Sequence, residues 1–265
     1  MTANMNDKLG IIGGNGVLGG AIAEGLLLSG TVAPQDIWVS SRSGKRPDFP
    51  GSDLLSATND TGKLVGACDT IILSVPPGEA QALSIPGPNK LVISVMAGIT
   101  LSTIGALAQG ARTVRAMSSP AAARRLAYSP YFLGNSATID DEARVRRVFE
   151  AIGIADRVPN EDQIDRFTAL TGPVPGFVAA CAAAMAAHAR SVGIDETTAD
   201  RAVRQLFLAA GTALADGPSP EAHVAEMIAY AGTTAAGLET LRDGPFSKSL
   251  GDALQAAYER CKSIA

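Results

Sequence analysis

Histidine and lysine are scarce in this 265-residue sequence, and their positions argue against several kinds of catalytic site. Only His188 and His223 are present; the first lies in an alanine-rich stretch and the second in a predicted surface helix, so we assign both structural roles. No lysine occurs between Lys90 and Lys248. The sequence therefore disfavours the acid–base histidine of 2-hydroxyacid dehydrogenases and the catalytic lysine of 3-hydroxyacid dehydrogenases. Imine reduction stays open, because a C=N group can take its proton from solvent before hydride arrives.

Cysteine pairs, a strong charge and long apolar runs are also missing. Cys68, Cys181 and Cys261 are widely spaced, which predicts reduced, buried thiols in a cytoplasmic protein and no metal site. A formal net charge of −4 argues against a nucleic-acid partner bound through its phosphates. The first residues resemble no signal peptide, and the longest apolar run, 177–187, is shorter than the roughly 20 residues that cross a bilayer. We expect no membrane association.

A glycine-rich turn near the N-terminus carries the clearest motif. The apolar run 9–12 ends in glycines, and G-x-G-x-x-G follows at residues 14–19 before a helical pattern. In this setting Gly14 is expected to form the tight turn, Gly16 to let the backbone approach a pyrophosphate, and Gly19 to let the helix pack against the strand. The N–H groups at the start of that helix would face the phosphates. The motif predicts dinucleotide binding.

The end of the second predicted strand, 36–42, favours NADPH over NADH. Folds that prefer NAD carry an acidic residue here for the ribose 2′-hydroxyl. This chain has Ser40, Ser41 and Arg42, with Lys45 and Arg46 close behind. Hydroxyls and fixed cations suit a 2′-phosphate.

Strands and helices alternate through the first 158 residues. Apolar strands are predicted at 69–75, 90–96 and 113–117, and late edge strands at 131–133 and 156–158. This pattern predicts an α/β fold with a Rossmann-like, doubly wound N-terminal domain over residues 1–158, which binds its ligand at the carboxyl ends of the strands.

From residue 159 to 265 only helices are predicted, at 162–170, 177–192, 196–215, 220–229, 233–242 and 247–263. The second of these is apolar on all sides, so it must be buried. In a domain of barely a hundred residues, this points to an all-α C-terminal dimerisation domain whose helices interlock between two subunits.

Several segments resemble the Δ1-pyrroline-5-carboxylate reductase family. These are DRFTALTGPVPGF at 165–177, AGTTAAGLETL at 231–241, GPF at 244–246, VISVMAGIT at 92–100 and VRAM at 114–117. They follow the family's order along nearly the whole chain. The resemblance implies an NAD(P)H-binding N-terminal domain, a helical domain that builds an intertwined dimer, and an active site in the cleft between the domains. Higher oligomers of such dimers also occur in that family.

The departures from the family pattern concern the substrate pocket. Pro173 and Val174 replace a serine and a glycine in a loop that holds the substrate carboxylate in the family, and proline removes one N–H donor. Thr234 matches the threonine proposed there to hydrogen-bond the ring nitrogen; an N-cap or second-turn hydroxyl of the following helix is the alternative role. The carboxylate side of the pocket is therefore rebuilt, and Arg124 or Arg125 could supply a replacement clamp.

The residues and the resemblance together give one set of expected site residues. Thr234 is expected to be catalytic, with Thr171, Val174, Gly232 and Thr233 binding substrate. The expected cofactor-binding residues are Gly14, Asn15, Gly16, Val17, Leu18, Ser41, Arg42, Val75, Pro76, Ala97, Gly98 and Met117.

The expected function is NADPH-dependent reduction of a cyclic imine, pyrroline-5-carboxylate to proline by default or a related imine of a specialised pathway, by a homodimer. Two alternatives remain: a dimeric NADP(H)-binding protein without turnover, and a carbonyl-reducing two-domain dehydrogenase. Which imine is reduced, the stereochemistry of the product and any assembly larger than a dimer are left open by the sequence.

Overall fold

The computed structural model describes residues 8–172 and 176–264. Contacts divide the chain into two compact units, 1–173 with 257–265 and 174–256. The first unit holds the predicted sheet, and the second consists of helices.

The first unit is built on one twisted sheet. Among the described residues, eight strands join in the order β3-β2-β1-β4-β5-β6-β7-β8, and only β6 and β7 pair antiparallel. The strands are β1 Leu9–Ile12, β2 Ile37–Ser40, β3 Ser56–Thr58, β4 Thr70–Leu73, β5 Leu91–Ser94, β6 Arg112–Ala116, β7 Ala127–Leu133 and β8 Gly153–Arg157. The helices are α1 Val17–Ser29, α2 Thr61–Ala67, α3 Leu101–Leu107, α4 Ile139–Glu150 and α5 Asp162–Thr171. The predicted Rossmann-like, doubly wound fold is confirmed.

Two strand predictions need correction. β7 was expected at an edge, but it lies between β6 and β8, so only β8 forms that edge. β7 pairs with β8 from Ala127 to Tyr131, so it begins four residues before the predicted strand 131–133. At the opposite edge β3 was missed, because three residues are too few to show a periodic pattern.

Helices cover both faces of the sheet, so alternate strand residues enter two separate cores. In β5, Leu91 and Ile93 pack in the same core as Ile22 of α1. Val92 between them joins the core that contains Leu64 of α2. This two-sided burial explains why the parallel strands are continuous apolar runs.

The glycine turn differs in one detail from the expectation. The left-handed backbone conformation falls on Gly13, with φ of 85°, rather than on Gly14. Gly14 is instead needed for packing, since a Cβ there would lie 2.7 Å from Cβ of Val39 in β2. A Cβ at Gly19 would lie 2.4 Å from the Gly13 carbonyl oxygen, as its predicted role in helix–strand packing requires.

The remaining helices are α6 Gly176–Ser191, α7 Glu196–Asp216, α8 Pro220–Ala229, α9 Thr233–Asp243 and α10 Phe246–Lys262. Their predicted positions are confirmed to within one or two residues. Asp195 and Ser219 cap α7 and α8, accepting hydrogen bonds from the N–H groups of Thr198 and Ala222.

The helix α6 was predicted to be buried between two interlocked subunits, and within the single chain it is mostly exposed. Ala186 is its one buried residue among those described, and Val178 is 54% exposed. The apolar surface of this helix is thus uncovered in the isolated chain.

One stretch passes a length and composition test for a membrane span. It covers 162–191, includes three residues outside the described ranges, and has a mean hydropathy of 1.5 over its best window. Core helices of soluble proteins pass the same test. The apolar run 177–187 lies inside this stretch, and the expectation of no membrane association stays a prediction.

Candidate active site

A cleft of about 910 Å³ opens at the carboxyl ends of β1, β2 and β4. The strand ends are tied together there, because the N–H groups of Gly13 and Gly14 both donate to the Ser40 carbonyl at 3.0 Å. On the other side of β1, the N–H of Ser74 donates to the Ile12 carbonyl at 2.9 Å. Here, at the carboxyl edge of the sheet, the strand order reverses: β2 and β3 lie on one side of β1, and β4 and β5 lie on the other. This switch point is the usual ligand position in doubly wound folds.

The N-terminus of α1 faces this cleft. Gly16 is the N-cap of the helix and lines the cleft together with Asn15. The N–H of Gly16 donates to the Gly13 carbonyl at 2.9 Å, which closes the turn. The N–H groups of the first helical turn, from Val17 on, have no acceptor within the helix, so they are available to an anion.

The loop after β2 supplies hydroxyls and a cation. Ser41 Oγ donates to the Lys45 carbonyl at 3.1 Å and lies 3.4 Å from Ser43 Oγ. Arg42 lines the cleft with its side chain 91% exposed. Arg46 is directed elsewhere, since its Nε donates to the Leu55 carbonyl at 3.0 Å and so anchors the loop.

The structure gathers about half of the expected cofactor residues in this cleft. Those that line it are Asn15, Gly16, Ser41, Arg42, Val75 and Pro76. Of the others around the glycine turn, Gly14 packs against Val39, and Val17 and Leu18 form the first turn of α1.

Sequence reasoning missed several polar residues of the cleft. They are Ser43, Asn59, Thr61, Ser74 and Glu79. Asn59 and Thr61 follow β3, which was not recognised as a strand. Ser74 could have been found from its place at the end of a strand.

The remaining expected cofactor residues lie further along the sheet, after β5 and β6. Gly98 has a φ of 75°, and the N–H of Met117 donates to the Pro130 carbonyl at 3.0 Å. Met117 is buried with Val158 and Ile164, and Ala97 packs against the same cluster.

A buried ionic cluster lies next to these loops. Arg115, two residues before Met117, bonds both carboxylate oxygens of Asp165 in α5 and donates to Glu161 Oε1 at 3.2 Å. Glu161 Oε1 also accepts the N–H of Leu101, at the start of α3, at 2.7 Å. Cys261 of α10 donates its thiol to Asp165 Oδ1 at 3.2 Å. We call these five residues the Arg115 cluster.

Burial and the bond to Asp165 raise the pKa of the Cys261 thiol to about 11, opposed by a backbone hydrogen bond from Gly98. The thiol therefore stays protonated at neutral pH. The cluster joins β6, α3 and α5 to the last turn of α10, all within the first unit.

The expected substrate-binding residues fall in both units. In the first unit, Thr171 Oγ1 donates to the Phe167 carbonyl at 2.9 Å. In the second, Gly232 is the N-cap of α9, and Thr233 and Thr234 are its exposed first helical residues. Val174 lies outside the described residues.

The turn before α9 carries a strained residue. Ala231 has φ of 64° and Gly232 φ of 97°, so two consecutive residues are left-handed. An alanine in this conformation costs roughly 1–2 kcal/mol.

Across the described residues, no group of three or more histidine, cysteine and acidic side chains could hold a metal ion.

The Rossmann-like sheet with its cleft, followed by a helical unit, defines the class of two-domain nicotinamide-dependent oxidoreductases. Residues 161–264 match a family model described as pyrroline-5-carboxylate reductase dimerisation. Residues 8–98 match one described as NADP oxidoreductase coenzyme F420-dependent. A pyrroline-5-carboxylate reductase of Methanosarcina acetivorans is 33% identical, and the match covers 98% of both chains. This chain belongs to the pyrroline-5-carboxylate reductase family.

Other comparisons agree. Pyrroline-5-carboxylate reductase 2 of Bacillus subtilis is 29% identical over 97% of this chain and 95% of the relative. The crystal structure of Plasmodium falciparum pyrroline carboxylate reductase with NADP bound has a TM-score of 0.82 at 21% identity, covering 98% of each chain. The Coxiella burnetii reductase has a TM-score of 0.82 at 24% identity and the same coverage. These structures share the fold.

The cleft fits a dinucleotide. A pyrophosphate needs close backbone approach, and Gly16 lines the cleft with backbone alone. Helix N–H groups, hydroxyls and Arg42 give the cleft donors for phosphates.

Proposed function

We propose that this protein is a cytoplasmic, homodimeric, NADPH-dependent reductase of a cyclic imine, with pyrroline-5-carboxylate, reduced to proline, as the default substrate. The observation that carries the proposal is the full-length match to a pyrroline-5-carboxylate reductase at 33% identity. We keep the sequence-based division into a cofactor domain, 1–158, and a dimerisation and substrate domain, 159–265, as part of it.

The cofactor would lie along the edge of the sheet. The turn from Gly13 to Gly16 would hold the pyrophosphate, and Ser41 and Arg42 would bind the 2′-phosphate. Ala97, Gly98 and Met117 would form the surface under the nicotinamide. Bound NADPH supplies a hydride to the carbon of the protonated C=N bond, which gives the amine and NADP⁺.

On the substrate side, Thr234 would hydrogen-bond the ring nitrogen, with Thr171, Val174, Gly232 and Thr233 around the substrate. The exposed position of Thr234 in the first turn of α9 supports a hydroxyl available to a ligand. Substitution of the family's loop by Pro173 and Val174 favours a changed carboxylate contact, so a related imine is the second candidate substrate.

The homodimer is supported by the apolar side chains that the single chain leaves exposed in the helical unit. Val178, Met185, Leu208 and Tyr230 are between 45% and 87% exposed. The match of residues 161–264 to a dimerisation model supports the interpretation of these exposed side chains as part of an interface. Sedimentation velocity at micromolar concentration should give a dimer or a multiple of it.

Turnover is tested by following NADPH oxidation with pyrroline-5-carboxylate and then with cyclic imines that have or lack a carboxylate. Rates on the order of 1 s⁻¹ or more with pyrroline-5-carboxylate would support the default substrate. Turnover of another imine alone would mean a repurposed pocket. NADPH binding without turnover of any of them would favour the non-catalytic alternative.

Thr234→Ala tests the catalytic assignment. If the hydroxyl stabilises the transition state, kcat should fall tenfold or more, which corresponds to an activation free energy higher by about 1.4 kcal/mol. The affinity for NADPH should stay the same. Thr240→Ala, on the same helix, is the matched control for loss of a hydroxyl, since Thr240 Oγ1 donates to the Ala236 carbonyl at 2.9 Å. An unchanged kcat in Thr234→Ala would leave its side chain without a catalytic role.

A further inference from the structure

An acidic side chain stands in the cofactor cleft at a place where the sequence suggested only hydroxyls and cations. Glu79 lies on a short 3₁₀ helix, Pro77–Ala82, directly after β4, and lines the cleft. The N–H of Glu79 donates to the Pro76 carbonyl at 2.8 Å, which fixes the backbone that carries the carboxylate.

Glu79 faces the one cation of the cleft. Its Oε1 lies 3.7 Å from an Arg42 terminal nitrogen, across from the loop after β2. Of the described residues that line the cleft, only Arg42 and Glu79 are charged. Arg46, which the sequence offered as a second cation, donates its Nε to the Leu55 carbonyl. The cleft therefore carries one positive and one negative side chain in mutual contact.

These two charges act oppositely on the two nicotinamide cofactors. A 2′-phosphate that binds Arg42 must displace the Glu79 carboxylate from the arginine. The displaced carboxylate stays close by and repels the phosphate, because both groups are negative. A 2′-hydroxyl carries no charge and can donate a hydrogen bond to a carboxylate, as it does to the acid at the end of the second strand in NAD-preferring folds. Glu79 brings a carboxylate to the same part of the cleft from the segment after β4. The same residue thus hinders one cofactor and can help the other.

We propose that Glu79 is a specificity-determining residue that limits the preference for NADPH over NADH by holding Arg42 and repelling the 2′-phosphate. The cleft would then accept both cofactors, with Arg42 binding one and Glu79 the other. This inference rests on the proposed function, because it concerns the same cofactor cleft.

The test uses the full-length protein and binding rather than turnover. Dissociation constants of NADPH and NADH are measured by fluorescence titration for the wild type, Glu79→Gln, Arg42→Ala and the double variant. The pair 2′,5′-ADP and 5′-ADP serves as a second, non-redox probe of the 2′-phosphate. Glu150→Gln is the matched control, since Glu150 also pairs with an exposed arginine, Arg146, but lies outside the cleft.

In Glu79→Gln the ratio of NADPH to NADH affinity should rise about two- to fivefold, the size of an exposed charge interaction. The gain should be weaker at high salt and smaller in the Arg42→Ala background, where the carboxylate no longer holds the arginine. Glu150→Gln should leave the ratio unchanged.

Two negative outcomes are distinguishable. If the wild type binds NADPH and Glu79→Gln leaves the ratio unchanged for both cofactors and both ADP probes, the inference is overturned and the proposed function stands. If the wild type binds neither cofactor, the proposed function fails, and the inference fails with it.

Discussion

The first unit contains one arginine–carboxylate pair in its interior and another at the mouth of the cofactor cleft. The side chains of Arg115 and Asp165 are 2% and 8% exposed, and they share two hydrogen bonds. The side chains of Arg42 and Glu79 are 91% and 43% exposed, and their closest charged atoms are 3.7 Å apart. The same two chemical groups are thus placed in opposite solvent environments.

This difference decides what each pair can do. A buried charge cannot exchange its partner for water, so each member of the Arg115 cluster depends on the others. An exposed pair is screened and weak, so a ligand can take the place of one member at little cost. Burial suits the first pair to hold β6 and α5 together, and exposure suits the second to bind and release a nucleotide.

Breaking the buried pair should have the largest effect. Asp165→Asn leaves the buried Arg115 guanidinium with only the more exposed Glu161 carboxylate, and we expect a loss of about 3 kcal/mol in the free energy of unfolding. Urea unfolding at fixed protein concentration measures it. Glu150→Gln in α4 is the control: its carboxylate is 46% exposed and pairs with the exposed Arg146, so it should cost at most about 1 kcal/mol. Equal losses in the two variants would contradict the comparison.

Removing the exposed cation should affect binding and not stability. Arg42→Ala should weaken NADPH by about tenfold or more, the size of a charge-assisted hydrogen bond, and change NADH little. The free energy of unfolding should stay within about 0.5 kcal/mol of the wild type, as for other exposed substitutions. Equal losses of NADPH and NADH affinity would remove Arg42 from 2′-phosphate recognition.

Alkaline pH should lower the free energy of unfolding through the buried Arg115 cluster, by less than the loss of Asp165 does. The Cys261 thiol has its pKa raised to about 11 from a usual value of 9.0, chiefly by burial. Between these two pH values the unfolded chain releases this proton and the folded chain keeps it, so stability falls as pH rises. We expect the loss to be on the order of 1–2 kcal/mol, since each pKa unit corresponds to about 1.4 kcal/mol.

Cys261→Ser separates the contribution of this thiol from that of other groups that titrate at alkaline pH. One of these is Cys68, because burial raises its pKa to about 12. The serine hydroxyl can still donate to Asp165 but does not titrate in this range. The variant should therefore lose less stability than the wild type between pH 9 and 11. Identical pH profiles would mean that the thiol proton is not linked to folding.

The local parts of the fold could be read from the chain. The glycine motif, the buried strands and the helices from α5 to α10 were predicted because each is specified by residues close in sequence. β3 could not be predicted, since three residues carry no period. β7 is internal because β8 pairs with its free side. Pairing between two segments leaves no pattern in the residues of either one, so the sequence could not predict it.

The candidate site divides in the same way. Asn15, Gly16, Ser41 and Arg42 were expected because they stand next to strand ends. Glu79 was not expected, because its role depends on the fold bringing the segment after β4 to within 3.7 Å of Arg42 in the loop after β2. Asp165 was noticed only as part of a family motif, and its bond to Arg115 joins residues fifty positions apart.

The sequence by itself determined the class of fold, the helical second half and the family, because periodicity and motifs are properties of neighbouring residues. Only the tertiary structure decided that the turn glycine is Gly13, that Arg46 anchors a loop, and that one arginine is buried with Asp165 while another shares a cleft with Glu79. Exposure and charge environment arise from the packing of distant segments. They set whether an ion pair stabilises the fold or meets a ligand.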